Sequence, residues 1–377
     1  MLVQQPNVSV HSGGTGADQQ RWPDLTGLRG LAIALVVGVH AHVPSMSGGL
    51  FGVDIFFVLS GYLITGQLAR WTLLQGPRLR PWTVFLGRRV ARLMPTYLAT
   101  LVGLVAWSYY VRPSARDGKC LVSALTYTMN LPSGFRCLGP WHVMWSLAAE
   151  EQFYLLWPAS LLLLARFRNR ATVILGLYVL CVTVATFLAH MTPESAETLS
   201  YSPIGRSAGL LLGAFIALLP PDVKYCLPAD LSAAALLTGL VVASFFRLPA
   251  VEMAPLIAVP AASMILGLRR SPSYVKRILS VRLLIKLGEL SYCLYLVHVM
   301  LLWMARQYIG DTSPVAAILG TVGALGLAAV MHTLIEGPLR RKGNAALATF
   351  AMKLPGQDLP NERGLPTEGR GMGPTGS

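Results

Sequence analysis

The sequence has few charged residues. They make up 13% of its 377 residues, whereas an ordinary soluble domain carries about 25%. Hydrophobic residues make up 54%. This balance excludes a soluble globular domain and predicts an integral membrane protein. No secretory signal is expected before the first apolar run, because residues 1–20 lack a basic region followed by an apolar one.

Cysteine is also scarce, and five residues are too few for a disulfide framework. Cys181, Cys226 and Cys293 lie in or beside apolar stretches, where a thiol usually serves as a small apolar filler. Cys120 and Cys137 share one loop, 112–140, and either a disulfide or two free thiols fits them equally well. No Cys and His spacing is typical of a metal site, so no metal is expected.

Long apolar stretches are what the sequence does contain, and as helices they are long enough to cross a hydrocarbon core of about 30 Å. The predicted fold class is all-α, a polytopic transmembrane bundle of about ten spans that forms one membrane domain over residues 23–342. Residues 1–22 and 343–377 are predicted to be disordered tails, because they lack apolar periodicity. The predicted spans are 25–43, 49–68, 93–111, 144–164, 171–190, 203–219, 231–246, 251–268, 283–305 and 314–335.

The net charge of +14 does not predict nucleic-acid binding, because the basic residues lie in short clusters between apolar spans. With ten spans, both termini share one side of the membrane. The segments on that side hold 24 of the 31 Lys and Arg residues, against six on the other side, while Arg206 lies within a span. The positive-inside rule therefore predicts that both termini are cytoplasmic in a multi-pass protein of the cell membrane.

Ionisable side chains within the predicted spans collect in the outer half of the bundle. Such residues are costly in a membrane and indicate function by default. An outward-opening polar cavity would explain the group, while each single residue fits equally well as a buried pair, such as Arg206 with a glutamate, that only fixes helix packing. The residues are His40, Asp54, Glu150, Glu151, Arg206 and His298.

A basic segment precedes the third span and contains Arg88, Arg89 and Arg92. Two interpretations fit it equally well on residue type alone. One is the positive-inside bias of a cytoplasmic link. The other is a grip on the phosphates of a cofactor, because guanidinium groups form bidentate, charge-assisted hydrogen bonds with phosphate.

Several short motifs resemble those of the acyltransferase 3 family of membrane O-acyltransferases. Arg29 and His40 resemble that family's pattern of Arg, ten residues and His, and 88–95 is similar to its Arg-Arg-x-x-Arg-x-x-Pro segment. Residues 145–158, beginning Trp-Ser-Leu-Ala-Ala-Glu-Glu, resemble its Ser-Leu-x-x-Glu block. Further matches, in the same order as in the family, lie at 52–65, 287–298 and 335–338.

The resemblance implies a ten-span enzyme that takes an acyl group, most often acetyl, from cytoplasmic acyl-coenzyme A. The acceptor would be a hydroxyl of a surface or exported glycan, or of a glycosylated metabolite such as a macrolide. Because the chain ends soon after the tenth span, transfer is expected to finish within the bundle or on a separate partner. The main alternative is a glycan or lipid exporter, since a polar midline in a ten-span bundle also suits alternating access.

The residue roles follow from this resemblance and from the need of an alcohol for a base with a pKa near neutrality. His40 would deprotonate the acceptor or carry the acyl group, and a carboxylate of Asp54, Glu150 or Glu151 would orient its ring. Arg29 would hold or polarise the donor arm. The basic residues predicted to bind the coenzyme A phosphates are Arg88, Arg89 and Arg92, and the predicted substrate-binding residues are Arg206, His298, Trp145 and Ser146.

Overall fold

The computed structural model is all-helical, with no strand among the residues it describes. It describes residues 22–75, 79–111, 117–131, 137, 139–167, 169–220, 227–246, 250–270 and 272–353. The predicted N-terminal tail, apart from Trp22, lies outside these residues, and so does Cys226.

Each of the ten predicted spans falls on a helix. Shorter helices occupy several links, and a π-helical stretch joins the last two helices. The helices are α1 (Pro23–His40), α2 (Gly52–Gln75), α3 (Leu79–Tyr110), α4 (Asp117–Leu125), α5 (Met144–Leu164), α6 (Arg170–Ala189), α7 (Pro193–Leu199), α8 (Pro203–Ala217), α9 (Ala229–Phe246), α10 (Ala250–Leu268), α11 (Tyr274–Leu279), α12 (Arg282–Ile309), α13 (Pro314–Met331), the π-helix His332–Glu336 and α14 (Gly337–Lys353).

Two boundaries differ from the sequence prediction. The basic segment predicted as a link before residue 93 is instead the first part of α3, because its Leu, Arg and Ala side chains lose little freedom in a helix. Likewise, α14 continues past residue 343, where the C-terminal tail was predicted to begin. It packs so closely on α3 that a Cβ on Gly343 would lie 2.3 Å from the Cβ of Ala91. Residues 354–377 lie outside the described part.

Seven helical segments in the described part are long and apolar enough to cross a membrane. They comprise α2, α3, α6, α9, α10, α12 and the stretch from α13 into α14. Large apolar side chains such as Val241, Phe245 and Val322 are exposed on these helices, as expected where lipid surrounds the bundle. The chain is a multi-pass membrane protein. Of the other three predicted spans, α8 has only 15 residues, while α1 and α5 carry ionisable residues. The number of ten crossings and the side of the termini stay predictions.

Glycines bring two helix pairs into close contact. A Cβ on Gly30 of α1 would lie 2.0 Å from the carbonyl oxygen of Leu284 in α12, and one on Gly213 of α8 would lie 2.1 Å from that of Val58 in α2. Only glycine permits this approach. The Gly-Leu-Leu-Leu-Gly motif at 209–213 thus brings α8 into close contact with α2. These two contacts place α1 against α12 and α2 against α8, which positions the polar residues described next.

Candidate active site

Two histidines from different helices form the centre of the candidate site. His40 is the last residue of α1, and His298 is buried in α12. His298 Nε2 lies 3.3 Å from His40 Nδ1, and the ring centroids are 4.9 Å apart at an interplanar angle of 74°. The predicted catalytic histidine therefore has a second histidine as its side-chain partner.

Backbone carbonyls assign the protons of this pair. His298 Nδ1 lies 2.8 Å from the carbonyl oxygen of Tyr295, and His40 Nδ1 lies 2.8 Å from that of Val36. A carbonyl oxygen can only accept, so both Nδ1 atoms carry hydrogen. His298 Nε2 is then an acceptor that shares the Nδ1–H of His40. In its neutral form, His40 then keeps a lone pair on Nε2, as a general base requires.

A cavity of about 340 Å³ adjoins His40. Its wall is formed by α1, α7 and α12, by the link between α7 and α8, and by the turn before α5. Sequence reasoning did not identify the residues opposite His40, since they come from segments far apart in the chain. The lining residues are His40, Gly139, His142, Val143, Glu197, Thr198, Tyr201, Val299 and Trp303.

The turn that leads into α5 forms one wall of this cavity. Gly139 adopts φ +69°, and a Cβ there would lie 3.6 Å from the ring of Trp303. Burial lowers the pKa of His142, and nearby His40 lowers it further, so His142 is neutral at neutral pH. A disulfide joins Cys120 of α4 to Cys137, two residues before Gly139. Of the two states that the sequence left open for these cysteines, the structure therefore contains the disulfide.

The buried Asp54 pairs with Arg206 and not with His40. Both carboxylate oxygens lie 2.8 Å from Nη1 of Arg206, whose Nε donates to the carbonyl oxygen of Ser200 at 2.6 Å. Asp54 was one of three carboxylates expected to orient the His40 ring. The close contact of α2 with α8 gives it a cationic partner instead. The pair therefore corresponds to the alternative of a buried ion pair that fixes helix packing, with aspartate in place of glutamate.

Glu150 likewise has partners other than His40. Its Oε1 accepts from Ser60 at 2.8 Å, and its Oε2 accepts from Tyr154 at 2.9 Å. The Arg89 guanidinium carbon lies 3.5 Å from the centroid of the Tyr154 ring, and Glu151 is also within electrostatic range of Arg89. In the described part of the chain, these carboxylates thus face the basic segment.

The four predicted substrate-binding residues lie behind the cavity wall. Ser146 is buried and its hydroxyl lies 2.6 Å from that of Tyr295, one turn before His298. Trp145 packs edge-on against Tyr201 of the wall, at 5.3 Å between centroids, and beneath Arg206. The polar groups of Ser146, Arg206 and His298 already have protein partners, so we interpret these residues as support for the wall and for His40.

The basic segment at the start of α3 contains buried donors with no partner. The Nε atoms of Arg88 and Arg89 and the indole Nε1 of Trp82 have no hydrogen-bond partner among the described residues. Buried polar groups in proteins are nearly always hydrogen-bonded. Three unpaired donors on one helix end therefore indicate a place for an external acceptor such as a phosphate, which favours the second interpretation of this segment.

Arg92 differs from its two neighbours because its Nε donates to Oε1 of Glu336 at 3.3 Å. The other oxygen of Glu336 lies 3.0 Å from His332 Nδ1 and accepts from Cys293 at 3.3 Å. Sulfur, imidazole and carboxylate of these three residues are metal-ligand types within 4.8 Å of one another. The guanidinium on the same carboxylate already supplies a positive charge, so we interpret the group as a hydrogen-bonded cluster.

Arg29 lies between the two groups of residues. Its Nη2 donates to Ser291 of α12 at 3.0 Å, and it is within electrostatic range of Arg92, Glu150 and Glu336. His40 lies eleven residues further along α1, or about 16 Å along the axis. Because Arg29 meets Ser291 and His40 meets His298, α1 and α12 run in the same direction, as the predicted topology requires of odd-numbered spans.

These features define a class, namely multi-pass membrane proteins with a histidine pair beside a cavity and a separate basic cluster. The family model of the acyltransferase domain, acyltransferase 3, matches residues 22–333. The chain therefore belongs to the acyltransferase 3 family, which confirms the resemblance seen in its motifs.

Curated relatives are similar over most of this chain. It is 29% identical over 353 residues to the peptidoglycan O-acetyltransferase OatA of Listeria monocytogenes serovar 1/2a, covering 85% of this chain and 56% of the relative. It is 28% identical over 369 residues to the O-acetyltransferase OatA of Staphylococcus aureus strain NCTC 8325, covering 89% and 60%. The chain thus spans little more than half the length of these relatives. No solved structure matches it significantly.

Proposed function

We propose that this protein is a membrane O-acyltransferase that moves an acetyl group from acyl-coenzyme A to a sugar hydroxyl on the opposite side of the membrane. The observation that carries the proposal is the His40 and His298 pair, which leaves His40 Nε2 as a base beside a cavity. Membership of the acyltransferase 3 family and the relatives named as O-acetyltransferases support the reaction class.

The chemistry at His40 balances without another reagent. His40 Nε2 takes the proton of the acceptor hydroxyl while the oxygen attacks the thioester carbonyl. The carbon–sulfur bond then breaks, and the leaving thiolate takes the proton back from the imidazolium. His298 fixes the ring through the Nδ1–H of His40. A brief acyl-imidazole on His40 is the alternative route to the same ester.

The donor belongs at the basic end of α3. Unpaired Nε donors of Arg88 and Arg89 suit the phosphates of coenzyme A. Arg29 lies between this cluster and His40, so an extended donor arm that passes Arg29 would bring its thioester toward the cavity. In this proposal the bundle crosses the membrane ten times, both termini are cytoplasmic, and the cavity faces outward.

The acceptor belongs in the cavity. Tyr201 and Trp303 offer apolar faces, while Glu197 and His142 offer hydrogen-bonding groups, a combination of apolar wall and few polar groups that is typical of small-molecule sites. The volume suits one or two sugar rings. A unit of peptidoglycan or of another exported glycan is the proposed acceptor, as the names of the relatives suggest.

Purified protein incubated with acetyl-coenzyme A and soluble peptidoglycan fragments tests the proposal. We expect wild type and the His42→Ala variant to release free thiol and acetylated sugar in a one-to-one ratio and at similar rates, and His40→Ala to do so about 10²- to 10⁴-fold more slowly. His42 is the matched control because it lies two residues away and is exposed. An exporter would move glycan without releasing thiol, and that result would overturn the proposal.

A further inference from the structure

Glu336 is a fully buried carboxylate that the proposed mechanism does not use. It is 0% exposed, at the end of the π-helix His332–Glu336. An ionisable group so deep in a membrane bundle indicates function by default. Short π-helical segments inside α-helices are also frequent at functional sites.

The contacts of Glu336 divide the basic segment into two kinds of arginine. Arg88 and Arg89 have Nε donors without a partner among the described residues, whereas the Nε of Arg92 is bound by Glu336. The side chain of Glu336 is 1% exposed and that of Arg92 is 28% exposed. The carboxylate is therefore sealed in the protein, while part of the Arg92 side chain is exposed.

A guanidinium held at Nε has restricted rotation, and the hydrogen bond at Nε does not use the edge formed by its two terminal nitrogens. Those nitrogens form the fork that binds phosphate bidentately. Additional bonds from His332 and Cys293 fix the other oxygen of Glu336, so the carboxylate cannot turn away from Arg92 without losing them. The packing of α14 on α3 at Gly343 and Ala91 holds the two segments together.

We propose that Glu336 is a positioning residue for the donor site, which holds Arg92 so that its terminal nitrogens bind a phosphate of the acyl-coenzyme A donor. This inference rests on the proposed function, since it assigns a further residue to the same donor. Glu336 acts only through Arg92 and does not touch the reacting thioester.

The test compares two donors that carry the same thioester. Acetyl-coenzyme A has phosphates, and acetyl-pantetheine has none. For Glu336→Gln we expect the KM for acetyl-coenzyme A to rise about tenfold, as the loss of one charge-assisted hydrogen bond predicts. The KM for acetyl-pantetheine and the kcat with either donor should change less than twofold. Glu289→Gln, an exposed carboxylate in α12, is the matched control and should leave both KM values unchanged.

Three further variants test whether the effect passes through Arg92. Glu336→Asp should recover part of the lost affinity for acetyl-coenzyme A. Combining Glu336→Gln with Arg92→Gln should raise KM no more than Arg92→Gln alone. Should Glu336→Gln fail to accumulate in the membrane, Glu336→Asp carries the same comparison of donors, because it keeps the charge but reaches less far toward Arg92.

Equal changes for both donors, or no change for either, would show that Glu336 only supports the fold, and the inference would be overturned. In that case wild-type protein would still release thiol from acetyl-coenzyme A. If wild type released none, the proposed function itself would be wrong, so the two failures are distinguishable.

Discussion

The region around His40 and the region around Arg92 use opposite kinds of chemistry within one bundle. Near His40, uncharged rings are held by backbone carbonyls and lie beside aromatic walls. Near Arg92, guanidinium groups meet buried carboxylates. Activating a hydroxyl needs a base with a lone pair, whereas holding phosphates needs cations. The contrast teaches that α1 joins two specialised ends, with Arg29 toward one and His40 at the other.

The largest expected effect is the loss of activity on replacing His40, which should change kcat but not binding of the donor. Replacing His40 with alanine should lower kcat by about 10²- to 10⁴-fold, the usual contribution of a general base, while KM for the donor stays the same. Steady-state thiol release measures both constants. A normal kcat in the His40→Ala enzyme would show that His40 is not the general base, and the contrast between the two regions would no longer hold.

Breaking the buried pair of Asp54 and Arg206 should lower the stability of the protein. Asp54→Asn leaves Arg206 buried without its counter-charge, which should lower the free energy of unfolding by about 3–5 kcal/mol. Thermal unfolding in detergent measures the loss. The double variant Asp54→Leu with Arg206→Met should recover most of it, because an apolar pair needs no counter-charge. A stable but inactive double variant would instead assign the pair a part in catalysis.

Removing the disulfide tests whether the cavity wall affects binding of the acceptor without affecting binding of the donor. Cys120→Ser should lower stability by about 3 kcal/mol, the value expected for a loop of this size, given a sequence separation of 17. It should also raise KM for the acceptor several-fold, because Gly139 and His142 follow Cys137 in the wall. Cys181→Ser is the control. A rise in donor KM instead would show that the two ends are not independent.

The smallest effect concerns the other end. Replacing Arg88 and Arg89 together with glutamine should raise KM for acetyl-coenzyme A about tenfold and leave the acceptor KM unchanged, as expected when charge-assisted bonds to phosphate are lost. The exposed Arg282→Gln serves as control for charge alone. An equal rise in the KM for acetyl-coenzyme A in that control would show that the basic segment serves only as a topology signal.

The helices were largely predictable from sequence, but the partners of the candidate site residues were not. Apolar runs located α1, α2 and α12, because a span needs a minimum length of apolar residues whatever its neighbours are. Arg29 and His40 are eleven residues apart, a spacing that brings them near one face of any helix. The partner of His40 lies 258 positions away in the chain, and only the packing of α1 on α12 selects it over a carboxylate.

The cavity wall and the Glu336 cluster escaped prediction for the same reason. Glu197 and Trp303 carry no local pattern that marks them as neighbours of His40, since they meet only when α7 and α12 are packed together. Glu336 stood in a recognisable Ile-Glu-Gly-Pro motif, yet its partner Arg92 lies 244 positions earlier. A motif can point to a residue without showing which side chain that residue contacts.

Sided reconstitution tests the central claim most directly. The protein is inserted into liposomes, its orientation is measured by protease protection of the C-terminal tail, and acetyl-coenzyme A and soluble peptidoglycan fragments are supplied on chosen sides. We predict acetylated fragments only when the donor is on the side of the C-terminal tail and the acceptor is on the other side. Product formed only when both substrates share one side would contradict the account.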